Sequence, residues 1–390
     1  MINNEIQNII DSHKYLEEVL KLNDYMADNP EVSGEEYESS AKIVELLRSK
    51  GIEVKYPYAE LETAFKASIF GLNPEGPKIC IMAEYDALPG IGHGCGHSAS
   101  GSISVLAALI INDLKDHFNG QVDIVGTPDE EVLGGKIKMA AAGVFDDYDY
   151  AIMMHMNNYS SPNSKFLVLD GINIEFTGKT SHASASPWDG RNALNAMQLF
   201  FHSIDMMRQH VKPDIRLHGY IKEGGKAPNI VPDYSLSEFY IRGNELSYVE
   251  EIRAWVEDCV KAAALATRTT GKVSKLCDVL KDIAPNKYAE DALTEKFRHY
   301  GVEVFPVGEP MGSSDIGDVD YVCPAFHPLM GVKEGISLHT KEFADEMTTE
   351  NGHNAIEKGG KIIASFVMET LLDNELLNNI KDEYKKQRNK

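Results

Sequence analysis

The segment IGHGCGHS at residues 91–98 carries His93, Cys95 and His97 within five positions, each separated from the next by a glycine. Glycine lets the backbone bend freely, so several of these side chains can be aimed at one point. Cysteine binds a metal as thiolate and histidine through a neutral ring nitrogen, a donor set that suits zinc and, less ideally, manganese or cobalt. One such residue in a glycine-rich turn is an ordinary capping group; three together form a candidate metal site.

Further chemistry stands at the ends of apolar runs. Residues 122–126 lead into TPDEE, which sets Glu130 and Glu131 side by side. Neighbours in extended backbone point to opposite sides. One carboxylate can therefore ligate a metal while the other takes a proton from water. A second run, residues 150–154, ends at His155, and His339 stands in SLHTKEF. Cys95, His97, Glu131, His155 and His339 make five ligands, more than a closed tetrahedral zinc requires. Five suffice for two ions about 3.5–4 Å apart. Asp86, in EYDALP, either orients a ligand from behind or closes a tight turn before Pro89.

These residues need a scaffold. Apolar positions at helical spacing predict a helical stretch over residues 4–28, and a second helix over 34–50 starts at a Ser33–Glu36 capping box and stops at Gly51. Strands are expected at 67–70, 78–82 and 122–126, with a long helix over 103–114, which implies an α/β domain with a mixed, largely parallel sheet. Ligands of such sheets sit at the carboxyl ends of strands. From Ile172 the rhythm changes to strand 172–178, helix 191–210, strands 215–222 and 235–242, helix 248–267 and strand 273–280. That βαββαβ order fits a ferredoxin-like α+β domain. The expected organisation is a catalytic metal-binding domain of residues 1–171 and 284–390, with a dimerisation or lid domain of residues 172–283 inserted. On helix 191–210, Met197, Phe200, Phe201, Ile204 and Met207 form an apolar stripe that belongs to a core or a subunit contact.

EYDALPGIGHGCGH, TPDEE, MMHM, GKTSHASASPWDGRNALNA, NIVPDYSLSEFYIRG, GSSDIGDV and LHTKEFAD occur in an order that resembles the aminoacylase and carboxypeptidase-like co-catalytic metallopeptidases. The closest likeness is to the cysteine-containing amidohydrolase branch, which includes aminobenzoyl-glutamate, hippurate and auxin-conjugate hydrolases and the Xaa-Arg dipeptidase group. The resemblance implies metal ligation by Cys95, His97, Glu131, His155 and His339 and general base and acid work by Glu130. It implies that His182, often reaching in from a partner subunit, polarises the scissile carbonyl. It also implies substrate binding by Asn229, Arg242 and the GSSDIG loop with Ser314. Two departures bear on substrate: Met-Asn-Asn follows His155, and GSSDIG carries the short Asp315. His93 and His327 are assigned to structure.

The implied function is hydrolysis of the amide bond of a dipeptide or N-acyl amino acid. Two divalent ions per chain would serve it, zinc or manganese, with cobalt or nickel as further candidates. An aminobenzoyl-glutamate-type substrate is the alternative within the same chemistry. A zinc nucleobase deaminase would need H-x-E and P-C-x-x-C, and neither occurs. A metal-dependent regulator or scaffold would need a closed four-ligand site with no spare carboxylate, so Glu130 argues for an enzyme.

Composition sets the outer bounds. The 390 residues exceed one ordinary core, and 43% hydrophobic with 25% charged residues is the balance of a globular enzyme. A net charge of -22 argues against a nucleic-acid partner. Five cysteines in no paired framework, an N-terminus without a signal-peptide pattern and the lack of any apolar run of ~18 residues predict a cytoplasmic protein with no membrane span.

Overall fold

The computed structural model describes residues 2–12, 14–310 and 312–388. The chain divides into two compact units. One comprises the residues up to Lys165, Ile283–Glu309 and the stretch from Ser314 onward; the other comprises Phe166–Asp282 and Pro310–Ser313.

The first unit opens with α1 (Asn4–Asp11), α2 (Leu16–Asp28) and α3 (Tyr37–Ser49). The single stretch expected over 4–28 is thus two helices. The break lets Ile10 and Tyr15, buried on either side of it, reach the same core. The capping box expected before α3 does not form, because tertiary partners win its side chains. Ser33 Oγ donates to Asp86 Oδ2 at 2.8 Å, and the buried Glu36 accepts from Gly34 N, Asp129 N and Thr63 Oγ1 at 2.7, 2.9 and 2.9 Å. Both residues tie this loop to the turns that carry Asp86 and Glu130.

Next come β1 (Glu53–Lys55), β2 (Phe65–Phe70), β3 (Lys78–Ala83), α4 (His97–Asp113), β4 (Gln121–Gly126), α5 (Gly135–Ala141), β5 (Tyr150–Ile152) and β6 (His155–Asn157). Helix α4 begins inside the glycine-rich motif, earlier than the expected 103–114, and is buried without interruption from His97 to Ile111. A helix with no polar face is a core helix. Burying Ile103, Leu106, Leu109 and Ile110 contributes roughly 1.5–3 kcal/mol apiece. Two glycines allow its placement. Gly96 has φ +80° and a Cβ there would lie 2.5 Å from Met156 Cβ, while a Cβ on Gly101 would lie 2.4 Å from the Glu84 carbonyl oxygen. The helix can therefore pass directly over the end of β3.

The second unit holds β7 (Val168–Thr177), α6 (Ala193–Met207), β8 (Arg216–Glu223), β9 (Tyr234–Gly243), α7 (Leu246–Thr267) and β10 (Thr270–Lys275). Its sheet has the order β10-β7-β9-β8 and every pairing is antiparallel. The apolar stripe of α6 packs inside this unit: Met197, Phe200, Ile204 and Met207 are buried in its core. Strand β8 forms one edge and is exposed over most of its length, with Tyr220 and Ile221 outward.

The first unit resumes with α8 (Lys287–His299), α9 (Ile316–Asp320), β11 (Ala325–Phe326), β12 (Leu329–Gly331), α10 (Lys341–Glu346), α11 (Glu350–Leu372) and α12 (Asn374–Arg388). Its main sheet runs β1-β2-β4-β3-β5-β11, parallel from β4 to β11 and antiparallel at the β1–β2–β4 side. The apolar run 150–154 forms a strand only over β5, and β6, which starts at His155, pairs with β12 in a separate ribbon. No helix among the described residues is long and apolar enough to cross a membrane.

Candidate metal centre and active site

The site grows from the carboxyl ends of β3, β4 and β5 in the first unit, where Glu84 and Asp86, Glu130 and Glu131, and His155 respectively follow the strands. The N-terminus of α4 adds Cys95 and His97. Ligand atoms of Cys95, His97 and Glu131 lie within 4.8 Å of one another, and so do those of Glu84, His97 and His155. A third group joins Glu84, Glu130 and Asp315. The two adjacent glutamates thus diverge, Glu131 towards the thiol and imidazole and Glu130 towards two other carboxylates.

Hydrogen bonds fix the imidazoles. Nδ1 of His97 donates to Asp86 Oδ1 at 2.9 Å, and Nδ1 of His155 donates to the Met156 carbonyl at 2.7 Å. Their Nε2 atoms face each other at 3.2 Å. Asp86 is itself held, since its Oδ2 accepts from Ser33 Oγ at 2.8 Å and Glu131 N at 3.0 Å. Such partners fix the tautomer and aim of a metal-binding histidine.

Charge is concentrated where water is not. Burial opposes a charge on His97, yet Asp86, Glu84 and Glu131 carry its pKa well above the ordinary value. Burial and the carboxylates of Glu131, Glu130 and Asp86 push the Cys95 thiol up. Burial lowers His155 to about 4, helped by its positive neighbour His97. Burial, Glu84 and Asp315 drive the Glu130 pKa up. The Glu131 Oε1 atom and both Glu84 oxygens are buried without a directed hydrogen-bond donor. Orphaned carboxylate oxygens beside a thiol and two imidazoles are the donor set of a divalent transition-metal site, and these residues fit such an ion.

His339 joins none of these groups among the described residues. Its ring is exposed, but its backbone, at φ +62°, donates to the Gly94 carbonyl at 2.8 Å and so pins the loop against the glycine-rich turn. His93 is buried, accepts from Ser98 N at 3.1 Å and is lowered to about 4 by burial, as suits a neutral structural group. His327 is also buried and stacks on His155 with ring centroids 5.1 Å apart. Ser314 is buried, and its Oγ accepts from Ile316 N at 3.4 Å.

In the second unit, His182 is exposed on a turn. Its Nδ1 accepts from the backbone N–H groups of Ser184 and Ala185 at 3.3 and 3.2 Å. An accepting Nδ1 requires the neutral tautomer with the proton on Nε2, which leaves Nε2–H as an outward donor. Asn229 lies beside it: the Asn229 carbonyl accepts from Ala183 N at 3.0 Å. Arg242 stands near the other end of β9, opposite Leu169 at the start of β7, with Nη1 3.4 Å from Ser313 Oγ and its buried Nε without an acceptor. Tyr234, at the β9 end nearer Asn229, is eight residues away, on the order of 25 Å along the strand.

Three residues escaped the sequence reading. Glu84 directly follows β3, and the strand-end logic that picked out Glu131 and His155 would have found it. Lys136 is fully buried, with Nζ 2.5 Å from Glu84 Oε1 and 2.6 Å from Asp315 Oδ1. Asp315, noted only as a departure in its loop, also accepts from Lys136 N at 2.9 Å.

Residues 80–369 match the peptidase family M20/M25/M40. The chain is similar to the Xaa-Arg dipeptidase of Mus musculus, 30% identical over 371 residues that cover 91% of this chain and 86% of the relative. It is similar to a p-aminobenzoyl-glutamate hydrolase component of Escherichia coli, 27% identical over 93% of this chain and 90% of the relative. Among solved structures, it shares the fold of a dinuclear metal-binding peptidase of the M20 family from Bacillus subtilis, with a TM-score of 0.69, 19% identity and coverage of 91% and 99% of the two chains.

Proposed function

Since the chain belongs to peptidase family M20/M25/M40 and is a hydrolase of amide bonds, we propose that it cleaves a dipeptide or N-acyl amino acid with the help of two divalent metal ions per chain, zinc or manganese. The observation that carries this reading is the divergence of the two glutamates. Glu131 converges with Cys95 and His97, while its neighbour Glu130 turns to a different group. One position would thus supply a ligand and the next a carboxylate outside that trio, at the same strand end.

Cys95, His97, Glu131, His155 and His339 would hold the ions. When bound, the ions supply Lewis-acid chemistry, acidifying water and polarising a carbonyl. Glu130 takes the proton of the attacking water and passes it to the leaving amine. Asp86 holds His97 in the ligating tautomer.

His182 offers Nε2–H to the oxygen of the tetrahedral intermediate, and Asn229 lies in the same corner. Arg242, with its unsatisfied Nε, suits the substrate carboxylate. These groups occupy opposite ends of β9, too far apart to grip one dipeptide from a single copy of the unit. A homodimer in which His182 and Asn229 serve the partner's site, joined through the inserted unit and its exposed β8 edge, resolves that separation. The setting is a cytoplasmic enzyme of small molecules, with no nucleic-acid or membrane partner.

An aminobenzoyl-glutamate-type substrate is the alternative, favoured by a relative that matches 93% of the chain. The test is a panel of dipeptides, N-acetyl amino acids and p-aminobenzoyl-glutamate offered to protein reloaded with zinc or manganese. Turnover of a dipeptide or N-acyl amino acid supports the main reading, and turnover of aminobenzoyl-glutamate alone selects the alternative. Metal-loaded protein that cleaves none of them contradicts both.

A further inference from the structure

The five proposed ligands leave Glu84 and the buried groups around it without a role. Glu84 is wholly buried at the end of β3, and Lys136 and Asp315 are buried with it. Lys136 Nζ lies 2.5 Å from Glu84 Oε1, yet neither Glu84 oxygen receives a directed hydrogen bond. The other oxygen, Oε2, stands 3.3 Å from His97 Nε2, which in turn faces His155 Nε2 at 3.2 Å. Both imidazoles spend their Nδ1–H elsewhere, on Asp86 and on the Met156 carbonyl. Glu84 Oε2 and the two Nε2 atoms therefore converge in a dry place, where the metal-free chain has only a proton on His97 to share among them.

An ion pair alone does not account for this. A buried carboxylate is costly unless compensated, and one ammonium here faces two carboxylates, Glu84 and Asp315, with Glu130 in the same group. Lys136 and a protonated His97 together are still outnumbered by these three carboxylates and Asp86. The grip of Lys136 on Oε1 also decides which oxygen of Glu84 is presented to the histidines.

We propose that Glu84 is a further metal ligand, completing with His97 and His155 an oxygen- and nitrogen-lined position distinct from the thiolate-bearing one at Cys95 and Glu131, and that Lys136 is the positioning residue that clamps it. This rests on the metal-dependent reading above. The two positions then differ in character: the one at Glu84 is the harder and the better suited to manganese.

The experiment titrates chelator-stripped protein with Mn²⁺ and Zn²⁺ separately, reading metal per chain by elemental analysis and affinity by chelator competition. The stripped variants are compared by thermal unfolding. Glu84→Gln is expected to keep one ion and to bind the other about 10–100-fold more weakly. The double variant Glu84→Gln with Lys136→Met removes the clamp's charge together with its partner's and is expected not to recover that ion. Recovery of wild-type affinity in the double variant would show that Glu84 serves only as the counter-ion of Lys136, and would overturn the proposal. So would two ions bound by folded Glu84→Gln at wild-type affinity. Wild-type protein that takes up no metal would instead defeat the proposed function itself.

Discussion

Asp86 Oδ1 lies 2.9 Å from His97 Nδ1, and this bond turns His97 Nε2 towards His155. Asp86 can act without touching metal, because it sets the tautomer of the proposed ligand His97. Asp86→Asn should therefore weaken metal binding about 10–100-fold while the fold persists. Chelator-competition titration checks the affinity and circular dichroism the fold. Unchanged affinity would mean that His97 is oriented without it.

The adjacent glutamates should separate by phenotype. Glu130→Gln is expected to retain its metal and lose at least about 100-fold in kcat, the usual scale of a proton-transfer group. Glu131→Gln is expected to lose metal first. Elemental analysis beside steady-state kinetics distinguishes them, and near wild-type turnover by Glu130→Gln would reverse the assignment.

The pH dependence of metal uptake follows from two raised pKa values. The carboxylates around His97 and the burial of Cys95 both favour the protonated ligands in the metal-free protein. A metal must displace those protons, so apparent affinity rises as pH rises and falls in acid. Titrations in buffers of different ionisation enthalpy should show net proton release. Affinity independent of pH between about 6 and 8 would mean that the ligands are already deprotonated.

His182 tests the shared site. Removing one oxyanion donor commonly costs about 10²–10³ in rate, so His182→Ala should be nearly inactive with normal metal content. Mixing His182→Ala with Glu130→Gln under subunit exchange should return up to about half of wild-type activity per heterodimer, since one of its two sites is then whole. Exchange confirmed by mass with no activity regained would place His182 in the site of its own chain or outside catalysis.

What was legible in the sequence was local. Cys95 and His97 stood out by residue type among glycines, Glu131 and His155 by standing after apolar runs, and strand periodicity placed β3 and β4 almost to the residue. What escaped depends on partners remote along the chain. Ser33 and Glu36 spell a capping box, but Asp86, Thr63 and the Asp129 amide claim them instead. Lys136 looks like a surface lysine until the fold brings it to Asp315, 179 residues away. The apolar stripe of α6 showed a buried face without showing that its own unit would cover it.

On the proposed function, amide-bond hydrolysis requires metal ions held at Cys95, His97, Glu131 and their neighbours. The most direct test strips the protein with chelator, measures metal per chain and turnover of the best panel substrate, and repeats both after reloading with zinc or manganese. Activity is expected to be lost on stripping and to return as occupancy approaches two ions per chain. Full turnover by metal-free protein, or reloading that leaves occupancy near zero, would contradict it.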